Sequence, residues 1–154
     1  DGTCAESSEV VVQVTVSIDI DRPVAEVWAD VADMASHAEW MADAESISFA
    51  GDRRSGVGTV LIVPTRVGPL TTEDWIIVTE WVEQERMGVI HVGIVSGVGA
   101  FTLHDLGDGR TRFVWDEDLS LPLSLGGPIG EIFAKPIVTA IWRGNLRRLA
   151  ARFG

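Results

Sequence analysis

Apolar and polar residues alternate strictly along the first well-patterned segment, Val10 to Ile20. Valine or isoleucine occupies every second position, and Gln13, Thr15, Ser17 and Asp19 stand between them after one extra valine. A strand turns successive side chains to opposite faces, so a period of two is typical of a strand with one buried face. The segment is therefore predicted to be a β-strand that contributes one face to the core.

A helical period follows the first strand. From Val24 to about Met34 the apolar residues recur three or four positions apart, which predicts an amphipathic helix with Trp28 in the core. A second short helix is predicted at Ser36–Met41, and its His37 is expected to face solvent. The small residues between the two segments favour two short helices over one long helix.

Turn-forming residues divide the middle of the chain into short apolar runs. The strongest hairpin signal is Gly107-Asp108-Gly109 between two alternating runs, and Ser96-Gly97 is interpreted as another turn. The six strands predicted from these runs are Glu45–Ala50, Gly58–Arg66, Leu70–Val82, Met87–Val95, Ala100–Leu106 and Thr111–Leu121.

A long helix is predicted at the end of the chain, from about Gly126 to Phe153. Pro136 stands inside it, where proline removes a backbone hydrogen bond and clashes with the preceding turn, so a kink or break is expected there. The apolar face also changes side near the proline. Ile129, Phe133 and Ile137 share one side of the helix, whereas Trp142, Leu146 and Leu149 lie nearly opposite them.

This order of elements predicts an α+β fold. A run of antiparallel strands needs its apolar face covered, and the terminal helix is the one predicted element long enough to cover it. The expected architecture is a helix-grip fold, in which a curved seven-stranded antiparallel sheet wraps around the long C-terminal helix, with two short helices after the first strand. Residues 1–9 are expected to form a frayed tail, and residues 10–154 a single domain.

The bulk composition excludes several classes of protein. With 46% hydrophobic residues the 154-residue chain is not disordered, and its apolar runs are too short to span a bilayer. A net charge of -11 opposes binding to nucleic acid and to anionic lipid surfaces. The single Cys4 excludes an internal disulfide and a cysteine-based zinc site. A cytoplasmic location is expected.

Particular residues then resemble a known superfamily. They are the segment Arg22 to Trp28 after the first strand, the surroundings of His37 and Trp40, Gly58-Thr59, Val78 to Trp81, Gly107 to Arg112, and the terminal helix. With the order of elements they resemble the START/Bet v1-like superfamily, also called SRPBCC, and within it the bacterial polyketide cyclase/dehydrase and lipid-transport group. The resemblance implies a deep, mainly apolar cavity between sheet and helix. A monomer or homodimer is expected.

Three polar residues on the middle strands are candidates for acid–base chemistry: His91, Glu80 and Asp74. An imidazole or carboxylate in an apolar cavity would have the shifted pKa that general acid–base catalysis uses. The inward face of Leu70–Val82 stays open, because both faces mix apolar and polar residues and a β-bulge would switch them.

Ligand contacts are predicted for apolar, mostly aromatic residues of the strands, the second short helix and the terminal helix. They are Trp40, Trp75, Trp81, Phe101, Leu103, Phe113, Trp115, Ile129, Phe133, Ile137 and Ile141. No metal or cofactor is predicted, because the three histidines are scattered and Asp116-Glu117-Asp118 lacks the spacing of a calcium loop. That acidic trio is interpreted as a solvated strand end, and His104 is expected to point outward.

The leading functional hypothesis is therefore binding of a small hydrophobic molecule in an internal cavity, with a lipid, an isoprenoid or an aromatic polyketide as its class. The alternative is a polyketide cyclase/aromatase or dehydratase that uses the same cavity. A second alternative, a protein-interaction module, predicts a collapsed cavity and an exposed apolar patch.

Overall fold

The structure is a computed structural model that describes residues 9–67, 70–93, 95–122 and 127–154. Its seven strands form one antiparallel sheet in the order β1-β7-β6-β5-β4-β3-β2. The strands are β1 Glu9–Ile20, β2 Ser48–Phe49, β3 Val60–Val67, β4 Leu70–Val82, β5 Arg86–Val92, β6 Ser96–Gly107 and β7 Arg110–Pro122. With the terminal helix this sheet makes the helix-grip α+β fold, as predicted.

The alternation in β1 determines which face of the sheet is buried. Val12, Val14, Val16 and Ile20 are buried, whereas the polar residues between them are exposed. β1 pairs with β7 along its whole length, from Glu9 opposite Pro122 to Ile20 opposite Thr111. The inner face of this pair carries the apolar core against which the helices pack.

Two short helical elements follow β1, as the sequence predicts. Helix α1, Val24–Ala32, buries Val27, Trp28 and Val31 on one face. A 3-10 helix, Met34–Glu39, comes directly after it. Trp28 packs edge-on against Trp81 with ring centroids 5.2 Å apart, and its Nε1 donates to Glu83, so α1 is fixed against the end of β4.

The terminal helix α2 runs from Gly127 to Ala151 with Pro136 inside it. The helix continues through the proline, so the expected break is wrong, and a kink at Pro136 stays a prediction. The C-terminal half docks onto the core, where Trp142, Leu146 and Leu149 are buried. None of the described helices is long and apolar enough to cross a membrane.

Several strand boundaries differ from the prediction by a few residues, and two of these differences come from short pairing and from a glycine inside a strand. The predicted strand Glu45–Ala50 is reduced to Ser48–Phe49 and an isolated bridge between Ala44 and Thr65. Strand β6 begins at Ser96, where the sequence predicts a turn, because Gly97 pairs with His91 across the β5·β6 ladder. The hairpin at residues 107–109 is confirmed, with positive φ at all three positions.

Candidate functional site

A cavity of about 250 Å³ lies on the inner face of the sheet, between the strands, the 3-10 helix and its following loop, and α2. Most of its wall is apolar. The apolar side chains that line it include Val12, Val14, Met34, Met41, Ile47, Leu61, Val63, Ile76, Met87, Val89, Phe101, Trp115, Leu119, Val138 and Trp142. This volume lies just below the range of about 300–1,000 Å³ that is usual for small-molecule sites.

A polar cluster interrupts the apolar wall. His91 Nε2 on β5 lies 2.8 Å from Glu117 Oε2 on β7, and both side chains are nearly buried. The contact has the distance of an ion pair but not the alignment of a hydrogen bond. The other carboxylate oxygen of Glu117 accepts a hydrogen bond from Trp115 Nε1 at 3.0 Å. Glu117 is therefore held between an indole and an imidazole inside the core.

Glycines of β6 allow this contact between two strands that are not neighbours. Strands β5 and β7 are both paired to β6, so they lie about 10 Å apart. Gly97 stands opposite His91, and Gly99 stands opposite Glu117. A Cβ at Gly99 would lie 2.8 Å from the carboxyl carbon of Glu117. The bare backbone of β6 therefore leaves the space in which the histidine and the glutamate meet.

Asp74 on β4 completes the polar cluster. Its Oδ2 accepts a hydrogen bond from Thr65 at 3.0 Å, whereas its Oδ1 is buried and has no hydrogen-bond partner among the described residues. His91 is paired with Ile76, and Asp74 is two residues along on the same face, so Asp74 lies diagonally across the ladder from His91.

The cluster shifts the pKa values of two of its members. Burial by itself lowers the pKa of His91, but the nearby charge of Glu117, their close contact and the charge of Asp74 outweigh it and raise the pKa above 6.5. Burial raises the pKa of Asp74 above 3.8, although the Thr65 hydrogen bond and the charge of His91 oppose that shift. Both groups therefore keep their protons to a higher pH than they would in water.

His37 lies at another part of the same cavity wall, and its burial corrects the expected exposure. The side chain is buried, and Nε2 donates to the carbonyl of Val31 at 2.7 Å. Its ring packs against Trp40 and Phe101. Burial lowers its pKa to about 4, so this imidazole is neutral at physiological pH.

Some of the predicted site residues lie in the cavity and others do not. His91, Asp74, Phe101 and Trp115 line it. Glu80 lies outside, exposed and paired with Arg86 at 2.8 Å. The geometry therefore gives Glu80 no place in the cluster.

The remaining predicted ligand contacts are distributed over the core and the surface. Trp75 is 43% exposed on the outer face of the sheet, and Ile137 is 53% exposed. Trp81 packs against α1. The residues that belong to the core or pack on it without lining the cavity are Trp40, Leu103, Phe113 and Ile141. The side chains of Ile129 and Phe133 lie outside the described residues.

Sequence reasoning missed the acidic partner of His91. Glu117 was interpreted as part of a solvated strand end, but the structure buries it to 7% exposure. Its position contains the signal, because it shares strand parity with Phe113, Trp115 and Leu119 on the apolar face. An acidic residue in such a series is buried and must find a partner. The outward orientation of His104 is confirmed.

Among the described residues, no group of three or more His, Cys, Asp or Glu side chains is arranged to hold a metal ion. The part of the cavity wall that the structure describes also contains no Lys or Arg. The chemistry available there is therefore that of the His91–Glu117–Asp74 cluster, of Asp43 and the neutral His37, of the hydroxyls of Thr65 and Thr72, and of an apolar surface.

A family model described as polyketide cyclase / dehydrase and lipid transport matches residues 11–154. The chain belongs to this family. The predicted resemblance is thereby confirmed over nearly the whole chain. No curated protein is significantly similar to it in sequence.

Solved structures of the same fold cover almost the whole family domain. A protein from Thermus thermophilus superposes with a TM-score of 0.80 at 16% identity, covering 92% of this chain and 96% of that one. The Zhui aromatase/cyclase from Streptomyces sp. R1128 gives 0.71 at 16% identity, covering 94% of each chain. A START superfamily protein from Mycobacterium smegmatis gives 0.74 at 14% identity, covering 92% and 96%. At these identities the similarity shows the fold.

Proposed function

We propose that the protein binds a small hydrophobic molecule, of the lipid, isoprenoid or aromatic polyketide class, in the cavity between the sheet and α2. The observation that carries the proposal is the apolar cavity of about 250 Å³ with one polar cluster in its wall. An apolar wall supplies affinity through burial, and a few polar groups orient the ligand. Membership of a family described by polyketide cyclisation and lipid transport supports the same class of ligand.

Native mass spectrometry of the freshly purified protein tests the proposal, followed by denaturing extraction of any bound molecule. A retained hydrophobic compound is the expected result and would identify its chemical class. If the protein is empty, it is titrated with fatty-acyl, isoprenoid and polycyclic aromatic probes. Tryptophan fluorescence reports binding, since Trp115 and Trp142 stack 4.3 Å apart at the cavity. Failure of every probe to bind would overturn the proposal.

A matched pair of variants on β5 locates the binding. Val89 lines the cavity, whereas its neighbour Ile90 is exposed on the outer face. Val89→Phe fills part of the cavity and should weaken binding at least about tenfold, equivalent to 1.4 kcal/mol. Ile90→Phe adds a ring to the other face and should bind normally. Thermal unfolding of both variants checks that the larger side chain has not unfolded the protein, because overpacking costs about 1–3 kcal/mol.

A second candidate function, a polyketide cyclase/aromatase or dehydratase in the same cavity, is favoured by one specific observation. His91 is nearly buried, lines the cavity and contacts a buried carboxylate. A histidine whose pKa lies above 6.5 can give a proton to a ligand carbonyl and take one from an adjacent carbon near neutral pH. The cavity would contribute by folding the substrate so that its reacting atoms are close together.

His91→Ala separates binding from turnover. If the protein is an enzyme, this variant should retain affinity for the extracted compound or for an aromatic polyketide precursor, but lose turnover by about 10²–10⁴-fold. The activity of the wild type should follow the ionisation of His91 when pH is varied. Equal turnover in the two proteins would reject the catalytic role of His91, and no turnover of these compounds by the wild type would count against the enzyme hypothesis. Either result leaves the binding proposal intact.

A further inference from the structure

The charges in the cavity wall are unbalanced. Three acidic residues line it, Asp43, Asp74 and Glu117, whereas the described part of the wall has no Lys or Arg. Of its two histidines, His37 is neutral at physiological pH, because its pKa is lowered to about 4. His91 is therefore the one described lining group that can supply a positive charge.

The three carboxylates differ in the number of polar partners that their oxygens have. Asp43 accepts hydrogen bonds from Trp142 and Asn145 on α2, one on each oxygen. Glu117 has Trp115 on one oxygen and His91 beside the other. Asp74 has Thr65 on Oδ2, but its buried Oδ1 has no hydrogen-bond partner in the described structure. A buried acceptor without a partner is destabilising, and a ligand that donates a hydrogen bond to it would remove that cost.

We infer that the hydrophobic ligand carries a protonated amine, which donates to the free oxygen of Asp74 while its apolar body fills the cavity. The inference rests on the proposed binding function and specifies the ligand's head group. An ammonium donates hydrogen bonds without accepting any, so it matches a carboxylate oxygen that lacks a donor. It also offsets the surplus of negative charge at this end of the cavity, where attraction is stronger than in water.

The same geometry disfavours a free carboxylic acid as the head group. A ligand carboxylate would meet Asp74 and Glu117 with His91 as its sole described cationic partner, and the carboxylate of Glu117 already lies 2.8 Å from that imidazole. Unpaired like charges at short distance in a low-dielectric cavity repel each other. A neutral alcohol donates a single hydrogen bond and carries no charge. The expected order of affinity is therefore amine, then alcohol, then carboxylate.

Three probes with the same alkyl chain test this order: decylamine, 1-decanol and decanoate, titrated at neutral pH. Decylamine should bind at least about tenfold more tightly than decanol, and decanoate most weakly. Since the whole chain has a net charge of -11, an amine could also bind at the surface. Val89→Phe controls for this, because it should weaken decylamine binding only if the site is the cavity.

Asp74→Asn and Glu73→Gln form the matched pair. Both remove one negative charge from β4, but Asp74 lines the cavity and Glu73 is exposed beside it. Asp74→Asn should reduce the preference for decylamine over decanol to within about threefold, whereas Glu73→Gln should keep it. If decanol or decanoate binds as tightly as decylamine, or the preference survives Asp74→Asn, the inference is wrong while the binding proposal stands. If none of the three decyl probes binds although another hydrophobic probe does, the inference is also wrong. If no hydrophobic probe of any class binds, both the inference and the binding proposal fail.

Discussion

Two histidines in one cavity wall have pKa values shifted in opposite directions. His37 is buried against Trp40 and Phe101 and donates to a neutral carbonyl, so burial dominates and its pKa falls to about 4. His91 is nearly as buried, but a carboxylate lies 2.8 Å away and its pKa rises. The residue type is the same, and the neighbour decides the sign.

The neutral state of His37 should make the protein less stable in mild acid. The unfolded chain binds a proton at this residue below about pH 6.5, whereas the folded protein does so only near pH 4. Between these values the unfolded state holds more protons. The free energy of unfolding should therefore fall on acidification, by on the order of 3 kcal/mol from this residue.

Urea unfolding between neutral pH and about pH 4 measures this loss. In the wild type the free energy of unfolding should fall as the pH is lowered. In His37→Gln, whose amide still donates to the Val31 carbonyl, it should fall less steeply. His104→Gln, on the exposed face of β6, should behave as the wild type does. A slope that is the same in all three proteins would contradict the assignment to His37.

Glu117 should control the pKa of His91. Glu117→Gln removes the charge beside the imidazole, so burial then dominates and the pKa of His91 should fall. An NMR titration of the imidazole C–H signals measures it. Asp118→Asn, which removes an exposed charge from the next position of β7, should leave it nearly unchanged.

The pH dependence of stability in the wild type and in Glu117→Gln gives an independent check. Because the folded pKa of His91 is raised, its interaction with Glu117 stabilises the protein fully below about pH 6.5 and is lost as pH rises through the raised pKa. That component should be missing from the pH profile of Glu117→Gln. An unchanged profile would mean that the ion pair adds nothing to folding.

At the scale of the element, strand β6 has glycines where the neighbouring strands β5 and β7 have the side chains of His91 and Glu117, and the missing side chains leave room for that pair. Gly97 has φ of +140°, and a Cβ there would lie 1.9 Å from the carbonyl oxygen of Asp118. Gly99 faces the carboxyl group of Glu117. Sequence reasoning interpreted Ser96-Gly97 as turn chemistry, because glycine in a strand and glycine in a turn look alike in a single sequence.

Gly99→Ala should disturb the cluster without touching any of its polar groups. The new methyl would lie 2.8 Å from the carboxyl group of Glu117, so that side chain must move away from His91. We expect a loss of about 1–3 kcal/mol in the free energy of unfolding and a lower pKa of His91. Chemical denaturation and NMR titration measure the two effects.

A second substitution distinguishes this displacement from a general loss of stability. Adding Glu117→Asp to Gly99→Ala shortens the crowded side chain by one methylene and draws its carboxyl group back from the new methyl, so part of the lost stability should return. Gly144→Ala is the reference for glycine replacement without crowding, because the nearest atom to its added Cβ is 3.6 Å away and it lies in α2. Equal destabilisation by Gly99→Ala and Gly144→Ala would refute the role given to Gly99.

Strand β4 shows why sequence periodicity could not define the inner face of the sheet. The pairing with β5 shifts register between Val78 and Glu80. Val78 is buried opposite Val89, and after the shift Trp81 lies opposite the buried Met87. The bulge therefore changes which alternate residues point inward. Sequence shows that a bulge is possible in a strand with mixed faces, but the partner strand fixes its position.

At the scale of the whole molecule, the order of elements was predictable and the site was not. The alternation in β1, the hairpin at residues 107–109 and the uncovered sheet together specify a sheet that wraps a helix. His91 and Asp74 were found as candidates because polar residues stand out in apolar strands. Their partner Glu117 could not be assigned, because the contact depends on the β5·β6·β7 register and on two glycines in the intervening strand.

The buried side-chain amide of Asn145 connects the terminal helix to a loop in the cavity wall. Asn145 is fully buried in α2; its Oδ1 accepts from the backbone N–H of Ala42 at 2.9 Å, and its Nδ2 donates to Asp43 at 2.8 Å. Asp43 and the neighbouring Met41 line the cavity. Through Asn145 the helix therefore fixes the loop that closes one side of the cavity.

Asn145→Leu should remove these hydrogen bonds between helix and loop while preserving the side chain's approximate size. The Ala42 N–H and one oxygen of Asp43 would lose their partners, and each unsatisfied group costs about 1–3 kcal/mol. We expect the free energy of unfolding to fall by about 2–4 kcal/mol, measured by urea denaturation, and ligand affinity to fall as the loop loses its anchor. Arg147→Leu adds the same side chain at an exposed position two residues further along α2, and it should leave both quantities nearly unchanged. If Asn145→Leu lowers stability but not affinity at a temperature where the variant is folded, the loop keeps its position without the amide, through other contacts with α2 such as the hydrogen bond from Trp142 to Asp43.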